Sequence, residues 1–133
     1  METTVTINDR TTVLLGFDLK EFINEAARKG KEAAKARALA EHLEHTRKVV
    51  LAEEINAAHR HAKERGDKLT AQAAESVART SPGYRAHLDA LKEAQEARGV
   101  AYATASAADR AVELGFRHLS FLQTELRREG PNG

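Results

Sequence analysis

Cysteine and tryptophan are absent, methionine occurs once, proline twice, and the aromatic residues amount to two Tyr and four Phe. Without cysteine there is no disulfide, no thiol nucleophile and no Cys-ligated zinc, which fits a reducing, cytoplasmic compartment. No apolar run approaches the roughly 20 residues of a membrane-spanning helix. The start Met1-Glu2-Thr3-Thr4 lacks the cationic and apolar regions of a signal peptide. Charge of one sign is also missing: 21 Lys and Arg face 20 Asp and Glu, a net of +1. There is thus no global pull toward nucleic acid, and any polyanion binding must use local patches.

What is abundant is alanine. Of the 133 residues 25 are Ala, nearly half of the 41% apolar share. Each buried Ala contributes little at roughly 25 cal/mol per Å², so a thin core and reliance on partner chains are expected. One all-α domain spanning residues 1–133 is anticipated: an arm or hairpin over 1–16, a helical body over 17–129 and a tail over 130–133.

Local signals place the elements. Thr3 to Leu15 is rich in β-branched residues around the turn pair Asn8-Asp9, as in a short β-hairpin. Asp18 followed by Glu21 forms a capping box for a helix starting at Leu19, with Phe17 stapled onto Phe22. Leu19, Phe22, Ile23 and Ala26 would line its inner face. Arg28-Lys29-Gly30 reads as its end, giving a short helix over about 19–29.

Residues 31–65 contain no Gly or Pro and predict one long helix with the stripe Leu39, Leu43, Val50, Leu51, Ile55, Ala58 and Ala62. It ends at Gly66-Asp67. Thr70 then caps a short helix, Ala71 to Arg79, with Ala73, Ala74, Val77 and Ala78 as its apolar face. Ser81-Pro82 opens the last helix. Every seventh residue from Tyr84 reads Tyr84, Leu91, Arg98, Ala105, Val112, Leu119, Leu126, and a companion row reads Leu88, Gln95, Tyr102, Asp109, Phe116, Gln123. The phase survives Gly99 and Gly115, which favours one helix over 82–129 against the rival of a break at Gly99. At 1.5 Å per residue it would reach roughly 70 Å, too long for a compact globule. The expected fold is an elongated, coiled-coil-like helical hairpin of 31–65 against 82–129. A homo-oligomer, parallel or ring-like, would be held by Ala105, Val112, Phe116, Leu119 and Leu126, with Phe116 and Leu119 at its centre.

Chemistry is sparse. Glu41, His42 and His45 can meet on one helix face, but the paired Glu-x-x-His pattern of di-metal bundles is missing, and ordinary solvated histidines account for them. No nucleophile elbow or phosphate loop occurs. No catalytic residue, metal or cofactor is therefore expected, and the chain reads as a non-enzyme.

Two basic clusters stand out. Arg28, Lys29, Lys31, Lys35 and Arg37 against Glu32 give +4, and Arg60, Lys63, Arg65, Lys68, Arg79 and Arg85 against Glu64, Asp67 and Glu75 give +3. In the expected hairpin they lie near opposite ends, with Arg127 and Arg128 beside the first. They could hold a phosphate backbone, or be solvated helix ends with cations suited to a C-terminus. Arg98 is a register-setting polar residue or lies where the stripe turns to solvent. Tyr84 stacks on a base or closes the core.

The layout as a whole, a long helix, Gly66-Asp67-Lys68-Leu69-Thr70, a short helix, then Ser81-Pro82-Gly83-Tyr84 opening a helix that closes with Leu122-Gln123-Thr124-Glu125-Leu126-Arg127-Arg128-Glu129, resembles small phage recombination mediators of the UvsY-like type. That resemblance covers about residues 31–129 and implies a ring-like homo-oligomer. Such a protein binds single-stranded DNA and helps load a recombinase onto strands coated by single-strand-binding protein. The alternative function is a protein-interaction module, an assembly factor, adaptor or inhibitor, that works through helix faces without nucleic acid.

Overall fold

A computed structural model describes the backbone of residues 4–7, 10–13 and 18–128, and the side chains of residues 18–128. Among the described residues the body is all-helical, with three helices: α1, Leu19–Glu64; α2, Ala71–Arg79; and α3, Pro82–Arg128. Ahead of them, β1 (Thr4–Ile7) and β2 (Arg10–Val13) pair antiparallel, Val5 opposite Thr12 and Ile7 opposite Arg10. The turn expected at Asn8-Asp9 and the Phe17 staple lie outside the described residues.

The largest departure from expectation is at Gly30. The short helix 19–29 and the long helix 31–65 are one element, α1, of 46 residues. The cause lies in the side chains on either side of the glycine. Glu25 pairs with Arg28 and, at 3.2 Å, with Lys29, while Arg28 reaches across Gly30 to Glu32 at 3.1 Å. These i,i+3 and i,i+4 pairs favour helix on both sides of Gly30 and work against the roughly 1 kcal/mol cost of a helical glycine. The left-handed glycine that does end α1 is Gly66, at φ 78°. Its N–H bonds to the Lys63 carbonyl at 3.1 Å and that of Asp67 to the Ala62 carbonyl at 2.8 Å, the paired bonds of a Schellman end.

The other boundaries follow their caps. Asp18 Oδ1 accepts from the Lys20 N–H at 3.0 Å and the Glu21 N–H at 3.4 Å. Among the described residues Glu21 makes no return bond, so the cap is one-sided. Thr70 Oγ1 accepts from the Ala73 N–H at 3.1 Å. Ser81 Oγ accepts from the Tyr84 N–H at 3.2 Å and donates to the Ala78 carbonyl at 2.7 Å, joining the end of α2 to the start of α3. From there α3 runs unbroken through Gly99 and Gly115.

The chain divides into two compact units, residues 34–100 and residues 1–33 with 101–133. In the first, the core is Ala40, Ala58, Ala62, Ala74, Ala78 and Ala94 with Tyr84 and Leu91. Two expected core positions are exposed instead, Leu39 and Val77, and Ala40 takes the inward place beside Leu39. Small side chains win these places because they let helix backbones approach closely. His87 on α3 donates through Nε2 to the Leu43 carbonyl of α1 at 2.8 Å. The Glu54 carboxylate of α1 lies against Gly83 in the first turn of α3, in the space a Cβ there would take. A carboxylate there complements the positive end of the helix dipole.

In the second unit the buried apolar residues among those described are Leu19, Ala105 and Ala108, with Gly115 also buried, while Ile23, expected on the inner face, is exposed. Phe22, Glu25 and Lys29 of α1 line a groove with Ala107, Ala108 and Ala111 of α3. This register corrects the expected placement of Arg127 and Arg128 beside Arg28 and Lys29. Arg127 lies 16 residues beyond Ala111 on the same helix, about 24 Å along its axis. The error follows from the false break at Gly30, which began the first arm of the hairpin too late.

Candidate interaction surfaces

The first basic cluster does not form one patch. Helix rotation of 100° per residue puts Arg28, Lys31 and Lys35 on one side of α1 and Arg37 on the opposite side. Arg28 is engaged by Glu25 and Glu32, Lys29 by Glu25, and Arg37 by Glu41 at 2.9 Å. The electrostatics record this neutralisation. Hydrogen bonds from Arg28 and then Lys29 hold the Glu25 carboxyl below its usual range. The bond from Arg37 does the same for Glu41, with smaller contributions from the charges of Arg37, Arg98 and His45. The Arg28 and Arg37 guanidiniums are raised by the same bonds.

The second cluster lies wholly in the unit of residues 34–100, around the end of α1, α2 and the start of α3. Arg79 is held by Glu75 at 2.8 Å, which raises its pKa through that hydrogen bond, and Arg65 lies 3.9 Å from Asp67. Arg60, Lys63, Lys68 and Arg85 are exposed and form no ion pair among the described residues, as do Lys31 and Lys35. Tyr84, beside Arg85, is 4% exposed. It belongs to the core and is not placed to stack on a base. Arg98 is exposed, where the seven-residue row has turned to solvent.

The apolar rows of α3 behave differently. Ala105 is buried within its own unit, Val112 and Leu119 are half-buried, and Phe116 and Leu126 are 49% and 51% exposed. Tyr102 is 71% exposed. A second apolar strip, Leu114 and Phe121, is exposed on the other side of the helix. Sequence reasoning passed over it, although a third seven-residue row, Val100, Ala107, Leu114, Phe121, carries the signal. A run of exposed large apolar side chains on one helix exceeds the scattered single residues normal for a solvated surface.

His42, His45, His59 and His61 are all exposed. Among the described residues no group of three or more His, Asp or Glu could hold a metal ion. No helix among them is long and apolar enough to cross a membrane. Compared with known proteins, the chain matches no family model, no curated sequence and no solved structure.

Proposed function

We propose that the chain is a non-enzymatic, cytoplasmic interaction module that binds protein through the C-terminal half of α3. The observation that carries this reading is the set Tyr102, Leu114, Phe116, Phe121 and Leu126, all large, apolar and about half exposed or more. Leaving the exposed half of each in water forfeits roughly half of the 1.5–3 kcal/mol of full burial, about 0.8–1.5 kcal/mol, a loss that a docked partner recovers. The same reading takes α1 and α3 as arms of the helical hairpin expected from the sequence, with the N-terminal strand pair as a small accessory. Affinity purification of the tagged chain after nuclease treatment tests it. A stoichiometric protein partner lost on Phe116→Asp and kept on Lys63→Glu is the expected result. Retention by Phe116→Asp and Phe121→Asp alike would refute it.

A second reading, single-stranded DNA binding in the manner of a recombination mediator, rests on Arg60, Lys63, Lys68 and Arg85, cations of the second cluster that are exposed and form no ion pair among the described residues. It requires salt-dependent oligonucleotide binding that weakens on Lys63→Glu. No binding at 50 mM salt would eliminate it.

A further inference from the structure

Some of the side chains that α3 leaves exposed belong to a pairing pattern. Tyr102, Ala105, Asp109, Val112, Phe116, Leu119, Gln123 and Leu126 follow one another at alternating steps of three and four, the seam of a two-stranded coiled coil. One flank of this seam, with Ala108 and Gly115, is buried in the unit's own interior. Tyr102, Phe116 and Leu126 along it are 71%, 49% and 51% exposed.

Charge identifies what covers these side chains and selects the sense of pairing. Glu113 is taken up by Arg117 at 2.9 Å and Glu125 lies 3.7 Å from Arg128, which leaves Asp109, Arg110 and Arg127 without an ion pair among the described residues. In a parallel, in-register pair Asp109 would face its own copy inside the seam, and Arg127 would crowd its own. An antiparallel pair places Asp109 beside Arg127 twice.

We propose that a second copy of this chain docks antiparallel on the α3 seam, about a two-fold axis between residues 117 and 118. Phe116 then packs against Leu119 of the other copy, Val112 against Gln123, and Asp109 at each end lies against Leu126 beside Arg127. Each copy brings a stretch of α1 and a stretch of α3 from the same unit, so the docked pair is a four-helix arrangement. The inference rests on the reading of α3 as a protein-binding surface and names its occupant.

The absence of native cysteine makes the geometry directly readable. Full-length Asp109→Cys and Arg127→Cys are prepared separately, one carrying a mass tag, and treated with a short bis-maleimide alone and mixed. The axis places the two copies of residue 109 about 25 Å apart, and those of residue 127 about 28 Å apart. The expected result is a mixed 109–127 adduct and no adduct from either variant alone, with light scattering giving twice the chain mass at micromolar concentration. Self-adducts of Arg127→Cys would mean parallel pairing, and a mass above two copies an open or ring assembly; either overturns the proposal. A monomeric wild type overturns it too, and if that monomer still loses a protein partner on Phe116→Asp, the α3 reading stands without it. Charge exchange avoids any dependence on core substitutions. Asp109→Arg alone should weaken the dimer about three- to tenfold, and adding Arg127→Asp should restore it; failure of the double variant to recover affinity would count against the pairing.

Discussion

Replacing Gly30 by alanine separates a continuous α1 from two helices joined at a glycine, because the two arrangements give opposite signs. Within an unbroken helix Ala is favoured over Gly by about 0.8–1.0 kcal/mol. A Cβ built at Gly30 meets nothing within 4 Å, so no packing cost subtracts from that gain. Gly30→Ala should therefore raise stability by about 0.8–1.0 kcal/mol, read as a rise in melting temperature of roughly 3–5 °C for a domain of this size. Gly99 is equally open, and Gly99→Ala should act likewise. Gly66 is the internal control, since its φ of 78° is strained for any residue with a Cβ. Gly66→Ala should lower stability by about 1–2 kcal/mol. The assay is urea and thermal unfolding followed by circular dichroism at 222 nm. A Gly30→Ala variant destabilised as Gly66→Ala is would place Gly30 at a left-handed helix end and refute the continuous helix.

Other perturbations address the caps, the alanine core and the ion pairs. Thr70→Ala removes the acceptor for the Ala73 N–H and should cost about 1 kcal/mol, measured by urea unfolding. Ala78→Leu forces a large side chain into a fully buried position and should cost about 1–3 kcal/mol; a neutral result would mean that the α2 contact is loose. Glu25 and Glu41 have carboxyls held below the ordinary range by Arg28 and Arg37, so their support of α1 is complete above the unfolded carboxyl pKa. It is lost as pH falls through the lowered folded values. Helical signal should decline over that acid range at low salt, and Arg37→Gln should weaken the decline.

Much of the fold was legible because its signals were local and agreed with one another. Thr70, Gly66-Asp67 and Ser81-Pro82 each satisfy backbone groups at a helix end with their own atoms, and the structure uses them so. Gly30 misled because two local signals conflict there. A basic pair before glycine marks a stop, while Glu25, Arg28 and Glu32 at helical spacing mark continuation, and only the energies decide. Leu39 misled for a different reason: hydrophobicity assigns the larger residue inward, yet close helix approach favours Ala40. The basic clusters illustrate a third loss. Counting charge along the chain ignores the rotation that sends Arg37 to the opposite side of α1 from Arg28, and the glutamates that take up three of the five cations of the first cluster.

The alanine interior and the exposed side chains of α3 belong to one division of apolar surface. The helix pair closes on the small residues Ala105, Ala108 and Gly115, while Tyr102 and Phe116 remain 71% and 49% exposed. Each buried alanine contributes about one methyl's worth of burial, near 0.8 kcal/mol, against about 1.5–3 kcal/mol for a Leu or Phe. Much of the chain's hydrophobic capacity is thus held back from its own fold and left on a helix face. A surface ion pair of the Glu113–Arg117 kind, 2.9 Å and exposed, supplies only about 0.3–0.5 kcal/mol on a helix. The apolar seam therefore has to supply most of the affinity for whatever docks there, and the charges at its ends serve to set direction. On that division of roles, Phe116 and Leu119 govern whether the surface is occupied, while Asp109 and Arg127 govern which way the occupant lies.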